Sequence, residues 1–246
     1  MHREAFPRGL MQPETGHRFA VDSLLLACYP RVRPGARVLD LGTGCGVSGL
    51  GLLLLHPEAT AKVLGLDISS EMIRAAQKNS RCLGLEDRFQ AEELDLRKVR
   101  DSAAVGPESF DLVMANPPYR HPGSGRMPPA AAKRSARFEL QAGVEDFVQA
   151  AAYAVKNKGS LALVYGTQRA PRLLELLSRY RLEPKRMRFI HGREHLPARL
   201  VLLEARKNGG PGLEVEPPLL LYGSEENEQT PTARALQYCP FLATQA

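Results

Sequence analysis

The sequence contains no apolar run of about 18 residues, the length a membrane helix needs; its longest candidate, 50–55, is far too short. Residues 1–10 carry both charge signs and a proline with no apolar stretch behind them, so no secretory leader is expected. Cys28, Cys45, Cys82 and Cys239 are scattered, with no CxxC pair and no histidine at metal spacing. That pattern argues against a disulfide framework and against zinc. It leads to the expectation of a reducing, cytoplasmic setting without a metal. Cys45, inside a glycine-rich turn, reads as a small filler residue. Internal repeats are also lacking, and the absence of tryptophan decides nothing about function.

With 246 residues, 43% hydrophobic and 24% charged, the chain has room for one large α/β domain with small additions. Its net charge of +6 is unevenly spread. Residues 120–207 hold 18 Lys or Arg against 7 Asp or Glu, residues 1–119 hold 14 against 15, and residues 208–246 hold 1 against 5. A basic surplus confined to one part suggests a surface for a polyanion, with solvated helix faces as the plainer explanation.

From residue 36 onward strand-like and helix-like patterns alternate. Strands are expected at 37–41, 62–67, 89–93, 110–115 and 160–165, with a closing pair at 185–190 and 199–206. Helices are expected at 46–55, 70–83, 136–157 and 171–180. Such alternation means βαβ units: a Rossmann-like α/β fold, a mostly parallel seven-stranded sheet with an antiparallel last strand and helices on both faces. Three segments are drawn on this basis. Residues 1–35 are a lead-in with a short helix at 20–27, and 36–207 the main domain. Residues 208–246 hold a short strand at 219–222 and an acidic, partly mobile tail.

The first chemical constellation is a strand, the turn Asp40-Leu-Gly-Thr-Gly-Cys-Gly46, a helix, and a second strand ending in Asp67. Glycines at 42, 44 and 46 allow a tight turn and close approach of backbone to a ligand. A carboxylate at Asp67 can accept the hydroxyls of a ribose. Asp40, immediately before the turn, suits a cofactor with a cationic sulfonium and ammonium end and would repel a pyrophosphate. S-adenosylmethionine is therefore the expected cofactor, with Asp40 as a turn or cap residue the structural alternative. Asp95 closes the third strand region, where a carboxylate can meet an adenine amine; Glu92 and Glu93 compete for that place.

The second constellation is Phe110-Asp-Leu-Val-Met-Ala-Asn-Pro-Pro-Tyr119. An apolar strand delivers Asn116 to its C-terminal end, where ligands bind in open α/β sheets. Pro117 and Pro118 lock the backbone that follows. The Asn116 side-chain oxygen and the Pro117 carbonyl offer two acceptors for one NH2 group, and Tyr119 can stack on the planar system bearing it. Two acceptors drawing on both N–H bonds of a delocalised amine would free its lone pair for a methyl group. Catalysis is then mainly alignment.

In this order and spacing the two motifs resemble Rossmann-like S-adenosylmethionine-dependent methyltransferases with an Asn-Pro-Pro-Tyr motif. The flanks, Gln12 to Ala27, Pro197 to Lys207 and Leu219 to Tyr222, are similar to the tRNA(Val) adenine-N6 methyltransferase family. The resemblance implies a cofactor set of Asp40, Gly42, Thr43, Gly44, Gly46, Asp67, Ile68, Asp95 and Asn116. It implies a target-amine site of Asn116, Pro117, Pro118 and Tyr119, and a structured tRNA as substrate. The chain departs from the family pattern in a proline- and glycine-rich insert after Tyr119, followed by Lys133, Arg134 and Arg137, which reads either as a lid for RNA or as a variable loop. Other basic residues, Arg179, Arg181, Lys185, Arg186, Arg188, Arg193 and Arg199, lie on both faces of a strand pattern and form no single stripe. His17, His191 and His195 carry no catalytic signal.

Alternatives stay open at this point. Glutamine-N5 methylation of a protein such as a release factor is disfavoured because only about 35 residues precede the first strand. DNA methylation lacks a recognition domain, and a non-catalytic RNA- or nucleoside-binding module fits the fold. Oligomeric state is not addressed by the sequence.

Overall fold

Strand parity decides which side of the sheet each apolar residue serves. The computed structural model describes residues 3–13, 18–118, 142–224 and 230–244. Its strands are β1 (Arg37–Leu41), β2 (Lys62–Asp67), β3 (Phe89–Glu93), β4 (Phe110–Ala115), β5 (Val155–Gly166), β6 (Leu182–His191) and β7 (Ala198–Lys207). Two-residue strands β8 (Glu214–Val215) and β9 (Leu219–Leu220) follow. The helices are α1 (Val21–Ala27), α2 (Val47–Leu55), α3 (Ser70–Leu83), α4 (Val144–Ala154), α5 (Ala170–Arg179) and α6 (Ala233–Tyr238). Their order in the sheet is β3-β2-β1-β4-β5-β7-β6-β8, with β9 also against β6. Strands β1 to β5 pair in parallel, and β7 runs antiparallel to both β5 and β6. The expected seven-stranded arrangement with an antiparallel seventh strand is present, extended at its edge by β8 and β9.

Val38, Val63, Leu112, Met114, Ala162 and Val164 face one side with α1, α2 and α3; Leu39, Leu41, Leu66, Val113, Leu161 and Leu163 face the other with α4 and α5. Helix α2 is apolar nearly all round and buries seven of its nine residues, as a helix sandwiched between sheet and neighbour must. Ser69 caps α3 by accepting the Met72 N–H at 3.4 Å, and Gly84 ends it in the left-handed region.

Two local expectations need correction. Helix α4 ends at Ala154 and β5 begins at the next residue, Val155. The turn expected at Lys158-Gly159 lies within β5, as a bulge between the pairs Val155↔Phe110 and Ser160↔Leu112, with Lys158 at φ 60°. The first part of the helix expected at 136–157 lies outside the described residues, as do Tyr119, the insert with Lys133, Arg134 and Arg137, and His17.

The segments flanking the main domain share its core. Phe6, Leu24, Leu25, Leu219, Ala235, Cys239 and Leu242 belong to the cluster that contains Leu50, Val63 and Met114. Phe6 meets Phe241 edge to face at 4.8 Å, Thr244 Oγ1 donates to the Phe6 carbonyl at 2.8 Å, and Tyr238 donates to Leu25 O at 3.3 Å. Within the tail expected to be partly mobile, residues 230–244 include a helix and a 3-10 turn packed on α1. Among the described residues no helix is long and apolar enough to cross a membrane. Phe6, 1% exposed, tests the shared core: Phe6→Ala should lower unfolding free energy in denaturant by about 3–5 kcal/mol. A loss below about 1 kcal/mol would show that the lead-in merely rests on the surface.

Candidate active site

The order of the sheet reverses at β1, which has β2 on one side and β4 on the other, and such a switch point opens a crevice at the C-terminal strand ends. Register places Leu41 opposite Ala115, so the glycine turn after β1 and Asn116 after β4 emerge side by side. Asp67 and Ile68, with Glu92 and Glu93 at the end of β3, continue the row, since Leu66 pairs with Leu41 and with Glu92, and Asp67 with Glu93.

The turn itself is unusual backbone: Gly42, Gly44 and Gly46 have φ of 68°, 55° and 86°. A Cβ on Gly42 would come within 3.0 Å of the Phe147 ring, and one on Gly46 within 3.1 Å of Leu50 and Phe89. At Gly44 a Cβ would meet nothing within 4 Å, which marks the turn's open side. Two carboxylates fix this shape from behind and from the flank. Asp40 Oδ2 accepts from Thr43 Oγ1 at 2.7 Å and from the Gly49 N–H at 3.2 Å. Asp67 accepts from the Gly44 N–H at 2.9 Å through one oxygen and from the Ser69 N–H at 2.9 Å through the other. Thr43 also donates its N–H to Leu66 O, and its side chain fills the space over Gly65, where a Cβ would come within 2.7 Å of it.

The residues expected to touch the cofactor therefore divide. Asp40 is 2% exposed and Thr43 4%, so both support the turn from beneath. Gly44, half-buried Asp67 and Ile68, an exposed large apolar side chain, face outward. Asp95 caps the 3-10 segment Leu96–Asp101 and is engaged by the Arg97 guanidinium at 2.5–3.1 Å, which holds its carboxyl below the usual range. Glu92 and Glu93 are exposed. Burial pushes the Cys45 thiol up to about 11, as suits a filler rather than a nucleophile.

Asn116 is half-buried at the end of β4, Pro117 is buried and Pro118 exposed. The Asn116 amide donates to Ser23 Oγ of α1 at 3.0 Å. Sequence reading missed Ser23, and it missed Asn79 on α3. Asn79 is 2% exposed, donates to Met11 O and Cys45 O at 3.0 Å each, and accepts from the Met11 N–H at 2.7 Å. A polar residue on a buried helix face was the only signal for either.

The basic residues singled out in the sequence are largely engaged within the fold. Arg186 pairs with Glu204 at 2.8 Å and Glu216 at 3.3 Å, Arg188 with Glu216 at 2.9 Å, and all four side chains are largely covered. Arg179 pairs with Glu145 and Glu175, Lys185 donates to backbone carbonyls at 210–212, and Arg193 donates to Gly223 O. Arg181 and Arg199 are exposed. His191 Nδ1 lies 2.8 Å from Leu196 O, and His195 is exposed. Among the described residues no cluster of His, Cys, Asp or Glu is disposed to hold a metal ion.

Burial raises the Asp40 carboxyl to about 7, against the hydrogen bonds from Thr43 and Gly49. A carboxyl raised in the fold stabilises it at low pH and loses that contribution as pH climbs toward the folded value. Asp40→Asn keeps both acceptor contacts without the charge. Its thermal midpoint should therefore gain on wild type between about pH 4 and 7, with no further gain above. A difference independent of pH would mean that Asp40 is not buried as described.

Comparison with known proteins agrees with this architecture. A solved structure from Agrobacterium tumefaciens, described as a predicted O-methyltransferase, is similar in fold, with a TM-score of 0.71 and 22% identity over 90% of this chain and 96% of that one. A tRNA1(Val) (adenine(37)-N6)-methyltransferase of Tolumonas auensis is 26% identical over 92% of this chain and 90% of that relative. A release factor glutamine methyltransferase of Rhodospirillum rubrum is 46% identical over 85 residues, but those span 35% of this chain and 24% of the relative. The family described as "Methyltransferase domain" matches residues 33–166, from the approach to β1 through the end of β5. With the glycine turn, Asp67 and Asn116 all inside that span, the chain belongs to the methyltransferase domain family and has its Rossmann-like fold.

Proposed function

We propose that the chain uses S-adenosylmethionine to methylate the exocyclic N6 of an adenine in RNA, with a tRNA as substrate. The observation that carries this reading is similarity over nearly the whole length to a tRNA1(Val) adenine-N6 methyltransferase, whereas the glutamine methyltransferase match is short. Asn116 beside the glycine turn supports it chemically, because a cofactor held at the turn would lie next to the target amine.

The residues present fit the cofactor. An open side at Gly44, the exposed Ile68, and an Asp67 carboxylate that accepts backbone N–H groups and keeps a further lone pair make a cradle for a nucleoside with an amino-acid end. Gly42, Gly44 and Gly46 would hold that end and Asp67 the ribose, with Ile68 against the base and Asp40 and Thr43 bracing the turn. When bound, S-adenosylmethionine supplies an electrophilic methyl group. The chain's own task is to orient the amine: the Asn116 carboxamide oxygen accepts one N–H, and the rigid Pro117-Pro118 backbone offers its carbonyl to the other. The adenine would leave its stack to reach this site, with Tyr119 assigned to stacking from its place in the motif.

The test is transfer of a radiolabelled methyl group to bulk unmodified tRNA, with release factor and duplex DNA run in parallel. N6-methyladenosine in the tRNA digest is the expected product; label in the release factor alone would replace this reading with glutamine methylation. Asn116→Ala should lower turnover on the order of a hundredfold with cofactor affinity nearly unchanged. Asp67→Ala should weaken cofactor binding about tenfold before it affects turnover. Full activity in Asn116→Ala would dismiss the amine clamp.

A further inference from the structure

An asparagine can serve as an acceptor for an amine only if its oxygen, not its nitrogen, faces the target, and the two ends are nearly equal in shape. Something in the protein must choose between them. In this chain the choice falls to α1. Ser23 is 7% exposed, and its Oγ lies 3.0 Å from Asn116 Nδ2 and 3.4 Å from Asp22 Oδ1. A hydroxyl has one proton to give. With that proton directed at the Asp22 carboxylate, Oγ meets Asn116 as an acceptor, and only the NH2 end of the amide can face it. The carboxamide oxygen is thereby set on the side away from α1.

Ser23 is itself held. Its N–H is shared between Asp22 Oδ1 at 2.7 Å and Ala20 O at 3.2 Å, and its carbonyl accepts from Ser48 Oγ at 3.1 Å. Ser48 sits in the first turn of α2, immediately after the glycine turn. One residue of the lead-in therefore touches both constellations: the target-amine asparagine through its side chain, and the helix after the cofactor turn through its backbone.

We infer that Ser23 is a positioning residue that sets the orientation of the Asn116 amide for methyl transfer. The inference rests on the amine-clamp reading of Asn116. Ser23→Ala is well tolerated by a helix and leaves the backbone bond from Ser48 in place. It should lower kcat for tRNA methylation about tenfold, the worth of one orienting hydrogen bond, with the KM for S-adenosylmethionine and the thermal midpoint little changed.

The discriminating comparison is the same substitution in the Asn116→Ala background, where there is no amide to orient and residual turnover should not change. An equal loss in both backgrounds, or a raised cofactor KM, would assign Ser23 a structural role and overturn the inference. A large loss in Asn116→Ala with none in Ser23→Ala would also overturn it and leave the clamp standing. Activity retained in Asn116→Ala would fail the clamp and the inference with it. A second readout needs no substrate. In the side-chain amide region of a 15N–1H spectrum, the Asn116 pair, identified by its disappearance in Asn116→Ala, should shift in Ser23→Ala. An unmoved pair rejects the contact even if no RNA is methylated.

Discussion

A backbone turn with three left-handed glycines in five residues has no shape of its own, and the site depends on what imposes one. Two carboxylates do so. Asp40, at the end of β1, takes the Thr43 hydroxyl and the Gly49 N–H; Asp67, at the end of β2, takes the Gly44 N–H. Because β1 and β2 are neighbours in register, the two acids bracket the turn from adjacent strands. The direction in which α2 leaves the sheet, and which side of the turn stays open, follow from those bonds. Asp40 is kept in an uncomfortable state for a carboxylate, buried and near 7, to do this.

The lead-in and the C-terminal segment have a corresponding task at the other motif. Helix α1 has seven residues, too few to persist alone, and is held by α2 on one side and by α6 and the closing 3-10 turn on another. Through Ser23 it reaches Asn116, and through Asn79 the preceding segment is tied to the glycine turn at Cys45. Segments outside the sheet thus supply the second layer of support for groups that the strands deliver.

Much of this was legible in the chain. Strand periods, glycine stops and the Asn-Pro-Pro motif located every main strand, the glycine turn and the end of β4 beside it, because those signals are local. What the chain did not announce was non-local. Asp40 reads from its position as suited to a cationic ligand, and its burial beneath Thr43 and Gly49 is visible only in the fold. That Arg186 and Arg188 are paired was not legible, because their partners, Glu204 and Glu216, lie 18 and 28 residues away along the chain. Ser23 and Asn79 gave only the weak signal of a polar residue on an apolar helix face, since nothing nearby in sequence says what a buried hydroxyl or amide will meet.

Among these contacts the packing of Thr43 over Gly65 has a consequence for how such sites diversify. The two positions share one small volume: a side chain at 65 would displace Thr43, and of the smaller residues at 43 only serine would keep the hydroxyl that anchors Asp40. Position 65 is therefore closed to any side chain for as long as residue 43 keeps its hydroxyl over it. Residue 43, in the turn, and residue 65, on β2 and 22 positions later, should be found as a hydroxyl residue with a glycine wherever this turn is inherited.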